Sequence, residues 1–160
     1  MLFRSNRGSV TNCTLKSIGN ILGMAQGGGN SKSRAICIES VFTPTGGNLS
    51  CTNNTIDSIG YIGIYFGGSN VLIRENFISN CGLTKNDGGS IYAYGLGEGS
   101  AASNRNIKRN VIINNTKLLY GMPANYQNND IRGIYLDGYA SNVIVDSNVI
   151  GNMRGAAYLL

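Results

Sequence analysis

The chain has 160 residues, 42% of them hydrophobic and only 13% charged, with 23 glycines, 2 prolines, no tryptophan and no histidine; it is long enough for one domain with a core and too short for two. Its apolar content argues against disorder, no apolar run approaches the roughly 18 residues of a membrane-spanning helix, and the missing histidine removes Ser-His-Asp triads, histidine metal clusters and every histidine base. Thirteen Lys and Arg against eight Asp and Glu give +5, which permits an anionic partner, yet the basic residues are scattered without a nucleic-acid-binding signature and read as a solvated face.

In chain order, residues 1–10 lack the apolar stretch of a signal peptide, so the chain is either cytoplasmic or exported by a signal outside these residues. An internal repeat then begins. Residues 48–56, 70–78, 104–112 and 142–150 superimpose with two apolar anchors five residues apart: Cys51/Ile56, Ile73/Ile78, Ile107/Ile112 and Val145/Ile150. An Asn stands three residues before each first anchor and another three after it, and Val10/Leu15 forms a weaker, earlier copy with Cys13 at the second Asn position. Alternating apolar and polar residues predict strands with one buried face. The Asn between the anchors predicts a left-handed bend whose amide bonds its counterpart one coil away. Asn54, Asn76, Asn110 and Asn148 would form that ladder, and Ser17, Ser58, Asn80, Asn114 and Asn152 a second column.

Each repeat holds a third strand, at 34–39, 62–66, 90–94 and 132–137, with a last one at 155–160. First anchors are separated by 41, 22, 34 and 38 residues, which describes a rung near 22 residues with loops growing outward at 24–33, 82–89, 95–103 and 115–130. The fold expected is all-β: a parallel β-helix, or solenoid, of about five coils forming a single domain over 1–160, on the order of 24 Å tall. No end cap is visible, so a fragment of a longer chain is expected, or an oligomer whose neighbours cover the ends.

Parity on the third strand places Ile36, Ile64, Ile91 and Ile134 inward, and Cys37, Tyr65, Tyr92 and Tyr135 outward beside Glu39, Gly67, Tyr94 and Asp137. Two counts of Tyr158 disagree: motif matching points it outward, and counting from Ile150 points it inward. The tyrosine column reads either as a covered stacking ladder or as a sugar-binding platform, with Tyr65, Tyr92, Tyr94, Tyr135, Arg132 and Glu39 as candidate substrate contacts. Among the eight acids, Asp57, Glu75 and Asp146 belong to bends and outer faces, Glu98 to a Gly-rich loop and Asp130 to a strand entry, leaving Glu39, Asp87 and Asp137. Cys51 and Cys81 fall at core positions, and no cysteine pair shares a register on neighbouring coils, so no disulfide is expected.

The repeat, carried over almost the whole chain, resembles the right-handed parallel β-helix of the pectate-lyase-like superfamily. Residues 87–92, Asp-Gly-Gly-Ser-Ile-Tyr, followed by Gly-Ile-Tyr-Leu-Asp at 133–137, look like a group of bacterial secreted β-helix proteins that includes glycoside hydrolases; Ser90 stands where alanine is commoner. The resemblance implies secretion, a polysaccharide or oligosaccharide partner, and Asp87 and Asp137 as catalytic acid and base or nucleophile; from the residues, no cofactor or metal is expected. Such cleavage needs two carboxyl groups about 5–5.5 Å apart for retention or about 6.5–9.5 Å for inversion. On straight strands these two lie roughly 20 Å apart, so residues 82–89 would have to fold back. Tyr94 is the alternative partner of Asp137, which also fits a plain Asp-Gly turn. The other readings are a non-catalytic carbohydrate-binding or structural segment, as in an adhesin or tailspike, and a polysaccharide lyase, which suffers from the lack of an acidic cluster for calcium. Neither nucleic acid nor membrane is expected as a partner.

Overall fold

The computed structural model describes residues 2–4, 7–21, 33–39, 47–95, 102–115 and 131–160. Their sixteen strands run β1 (Leu2–Arg4), β2 (Gly8–Thr11), β3 (Thr14–Ile18), β4 (Ile36–Glu39), β5 (Leu49–Thr52), β6 (Thr55–Ile59), β7 (Ile64–Gly67), β8 (Val71–Arg74), β9 (Phe77–Ser79), β10 (Gly88–Tyr94), β11 (Arg105–Lys108), β12 (Val111–Asn115), β13 (Ile131–Asp137), β14 (Val143–Asp146), β15 (Val149–Met153) and β16 (Tyr158–Leu159). Every third strand joins the same sheet. Sheet A is β1-β4-β7-β10-β13-β16, sheet B is β14-β11-β8-β5-β2 and sheet C is β15-β12-β9-β6-β3, and every pairing is parallel. The described chain is therefore an all-β parallel solenoid.

The apolar anchors stack in register. Val10, Cys51, Ile73, Ile107 and Val145 align in sheet B. Leu15, Ile56, Ile78, Ile112 and Ile150 align in sheet C. Ile36, Ile64, Ile91, Ile134 and Tyr158 align in sheet A, which settles Tyr158 on the Ile134 column. The anchors of the middle coils are fully buried, and burying each such side chain stabilises the fold by about 1.5–3 kcal/mol. All four cysteines are free thiols: Cys37, Cys51 and Cys81 are buried and Cys13 is exposed.

The polar counterpart of this core is the asparagine ladder. The Oδ1 of Asn76 accepts from the Asn54 backbone N at 3.1 Å and from its Nδ2 at 2.9 Å. The Nδ2 of Asn76 donates to Cys51 O and to Asn110 Oδ1, both at 2.9 Å. Asn110 repeats the pattern with Ile73 O and Asn148 Oδ1, and Cys13, at the ladder position of the first coil, contributes its backbone N to Asn54 Oδ1 at 3.0 Å. Each of these amides thus ties three coils together.

The bend itself differs from expectation. The left-handed residues are those just before the ladder: Asn12, Asn53, Glu75, Arg109 and Ser147, with φ of 55°, 55°, 57°, 57° and 54°. Side chains as unsuited to that region as Glu and Arg occupy it because coil-to-coil bonds, Glu75 N to Lys108 O and Arg109 N to Asp146 O, fix the corner. Two further sets of left-handed corners were not expected: Ser17, Ser58, Asn80, Asn114 and Asn152, and Asn70, Asn104 and Asn142, have φ between 52° and 62°.

Among the expected loops, 24–32, 96–101 and 116–130 lie outside the described residues. The stretch 82–89 does not grow outward: Leu83 N and Thr84 N donate to Ile59 O and Gly60 O, Leu83 and Thr84 are buried, and Gly88 and Gly89 already belong to β10.

Replacing Asn76 by Ala removes the acceptor of the buried Asn54 N and the amide donor to Cys51 O and Asn110 Oδ1, so N76A should lower stability by about 2–4 kcal/mol. N106A, on the exposed bond to Asn104 Oδ1, should cost less than about 0.5 kcal/mol. Denaturant melts of both variants check this; similar midpoints would contradict the ladder's role.

Candidate functional site: the outer face of sheet A

β7, β10 and β13 place Tyr65, Tyr92 and Tyr135 in one register line across sheet A. The Tyr65 and Tyr92 rings are tilted with centroids 5.8 Å apart, and Tyr92 meets Tyr135 edge to face at 5.1 Å, both favourable aromatic arrangements. Only part of this column is accessible. Tyr65 is 7% and Tyr92 2% exposed, so their rings serve as a covered stack, whereas Tyr135 and Tyr94 are half-buried.

Asp137 ends β13 opposite Tyr94. Its Oδ2 accepts the Tyr92 hydroxyl at 2.7 Å and its Oδ1 the Gly138 backbone N at 2.7 Å. Gly138 and Tyr139 follow with φ of 57° and 68°, and Ala140 N donates back to Asp137 O at 3.1 Å. This is a tight turn with both central residues left-handed, so the Asp-Gly turn reading of Asp137 holds alongside its bond to Tyr92. A Cβ on Gly138 would lie 2.6 Å from the Tyr94 ring, so the turn is seated on that ring. Tyr139, which the sequence reading passed over, is 88% exposed.

Asp87 lies at the other end. It precedes β10 with φ 57°, its carboxylate accepts from Arg132 Nη1 at 3.0 Å, and its side chain is 73% exposed. Its backbone carbonyl accepts the hydroxyl of Tyr61 at 2.7 Å. The two glycines after it have a packing reason: a Cβ on Gly88 would stand 2.6 Å from the Tyr61 ring, and one on Gly89 3.1 Å from Tyr135 Cβ. Ser90 is buried, its hydroxyl accepting from Asn115 Nδ2, so a serine there completes a polar pair that alanine would leave open.

The two acids are not brought together at the backbone. Gly88 pairs with Ile131 and Tyr94 with Asp137, and the six residues of extended chain between these pairs span about 20 Å. Residues 82–89 do not fold back over the strand. Both carboxylates nonetheless act on the same hydroxyls. Tyr61 is pushed up to about 12, first by burial and then by Asp87, with Asp137 contributing; Tyr135 is raised by burial and then by Asp137, with Asp87 contributing.

The cations of this face sit on tyrosine rings: Arg34 lies 3.6 Å from the Tyr65 centroid, Lys85 4.5 Å from Tyr61 and Arg132 4.5 Å from Tyr135. Glu39 ends β4 opposite Gly67, and its side chain lies outside what is described. Of the acids set aside, Asp57 accepts from Ser79, Asn80 and Ser58, Glu75 pairs with Arg74 and Arg109 and Asp146 accepts from Ser147; Glu98 and Asp130 lie outside the described residues. Among the described residues no group of three or more His, Cys, Asp and Glu side chains could hold a metal ion. No helix there is long and apolar enough to cross a membrane. No family model, curated protein or solved structure matches the chain.

The raised Tyr61 has a consequence at alkaline pH. An unfolded tyrosine loses its proton near pH 10, whereas folded Tyr61 keeps it to about 12. The folded state therefore holds more protons in that window, and stability should fall as pH rises from about 10 towards 12. Melting curves across that range should show a steeper decline in the wild type than in Y61F; equal slopes would contradict the burial of Tyr61.

Proposed function

We propose that the protein is a carbohydrate-active right-handed parallel β-helix of the pectate-lyase-like type that receives a polysaccharide along the outer face of sheet A. The hand follows from the strong preference of parallel crossovers for right-handed connections. The observation that carries the functional reading is Asp137, fixed by the Tyr92 hydroxyl and Gly138 N, beside the partly exposed rings of Tyr94 and Tyr135. A fixed carboxylate with tyrosine rings next to it suits a pyranose, whose hydroxyls hydrogen-bond while its apolar face stacks. Secretion would accord with such a partner.

Binding without cleavage is the form the geometry supports best. Hydrolysis by Asp87 and Asp137 needs carboxyls no more than about 9.5 Å apart, and their strand positions are separated by about 20 Å of extended backbone. Glycoside hydrolysis is the second reading, favoured by one observation: the hydroxyls of Tyr61 and Tyr135 feel both carboxylates. A lyase ranks lower, for want of a calcium-holding acidic group among the described residues.

A glycan array combined with a reducing-end assay separates these forms. Binding with no release of reducing ends is expected, and D137N should weaken it about tenfold or more without lowering the melting temperature, the loss expected for one charged hydrogen bond. Hydrolysis lost in both D87N and D137N would establish the cleaving form instead. Absence of binding to any glycan would overturn the proposal.

A further inference from the structure

Asp-Gly steps stand at 87–88 and 137–138, one entering β10 and one leaving β13. In such a step the glycine nitrogen can add to the aspartate side chain, because no Cβ hinders the approach. The structure holds the two steps differently. At the first, the Asp87 carboxylate is engaged by Arg132 Nη1 at 3.0 Å. Gly88 is already paired with Ile131 in β10 and packed so closely that a Cβ on it would stand 2.6 Å from the Tyr61 ring. Neither group has the freedom that ring closure needs. At the second, Gly138 N lies 2.7 Å from Asp137 Oδ1, so Cγ, the atom this nitrogen must reach, is one bond beyond an existing contact. The Tyr92 hydroxyl holds Oδ2 at 2.7 Å and keeps the carboxyl group in that orientation. The glycine belongs to a tight turn, with φ of 57° at Gly138 and 68° at Tyr139, and the 88% exposure of Tyr139 opens the turn to water.

We propose that Asp137 and Gly138 form a site of spontaneous backbone isomerisation through a succinimide. Gly138 N bonds to Asp137 Cγ; its proton and the hydroxyl of the protonated carboxyl group leave as one water, and a five-membered imide remains. A water then adds to one carbonyl of the ring. Opening of the bond between Asp137 C and Gly138 N leaves the chain running through Cγ, an isoaspartate, whereas opening of the Cγ–N bond restores aspartate. One water leaves and one returns, so no other reactant is required. In the isoaspartate the free carboxylate hangs from Cα and the backbone is one carbon longer, which breaks both the bond to Tyr92 and the turn. The same change would take the fixed carboxylate away from the carbohydrate face. That consequence rests on the function proposed above; the isomerisation does not.

Prolonged incubation of the folded chain at mildly acidic pH, followed by peptide mapping with isoaspartate-specific enzymatic methylation, reads both steps in one sample. Isoaspartate at 137 should accumulate about tenfold or more faster than at 87, preceded by a peptide over 137–138 that is lighter by one water. In urea, where the contacts that distinguish the two steps are gone, the rates should converge. D137E, whose longer side chain cannot close the five-membered ring, should abolish the signal at 137. Equal rates at the two steps in the folded chain, faster reaction at 87, no isoaspartate at 137 or a signal that persists in D137E would each overturn the proposal. Aged protein should also bind glycan more weakly in proportion to its isoaspartate content; isomerisation at 137 with unchanged glycan binding would retain the site and overturn the role of Asp137 in the carbohydrate reading.

Discussion

The structure depends on satisfying a polar group inside a solenoid. Each turn between sheets B and C must bring backbone N–H groups into the core, where an unpaired donor costs about 1–3 kcal/mol. The asparagine amide answers this because it accepts and donates from one side chain. Asn110 takes the backbone and side-chain donors of Asn76 on its oxygen and gives its own amide to Ile73 O and Asn148 Oδ1. An aspartate would lack the donor and a leucine would lack both. With the ladder in place the coils are locked in register, and the apolar anchors need only fill the space between the sheets.

That register is what gives sheet A its ordered outer face. Because β7, β10 and β13 are aligned without slippage, Tyr65, Tyr92 and Tyr135 fall in a single line and Asp137 comes within reach of the Tyr92 hydroxyl one coil away. A one-residue slip would send the tyrosines into the core and the isoleucines out. The face is polarised along its strands: Arg34, Lys85, Asp87 and Arg132 gather where the strands begin, and Asp137, Tyr94 and the exposed Tyr139 where they end. An extended ligand laid along the strands would meet cations first and the tyrosine–carboxylate pair last.

The anchor columns, the three sheets, the ladder and the shared face of Tyr65, Tyr92 and Tyr135 were legible in the sequence because each coil repeats the same alternation and so votes on the same register. The corner conformation was legible only in part. The left-handed bend was expected on the ladder Asn itself and falls one residue earlier, where coil-to-coil hydrogen bonds override the local preference of Glu75 and Arg109. Burial of the tyrosine column was not legible either, because it depends on what lies over Tyr65 and Tyr92, and alternation tells only in from out. Tyr61 and Lys85 escaped notice because they sit between strands, outside any periodic pattern. The repeated offset of Arg34 and Arg132 from the tyrosine column was a signal that could have been used. The distance between Asp87 and Asp137 followed from counting residues along the strand, and the placement of Gly88 and Gly89 in β10 removed the fold-back that would have shortened it.

Native-state hydrogen exchange resolved by residue tests the ladder most directly. The backbone amides of Asn54, Asn76 and Asn110, each bonded to the side-chain oxygen of the next coil, should exchange only through global unfolding, as slowly as those of the buried strands. Exchange of these three amides much faster than that of Ile73 or Ile107 would contradict the account, because it would show that the coils are held together without them.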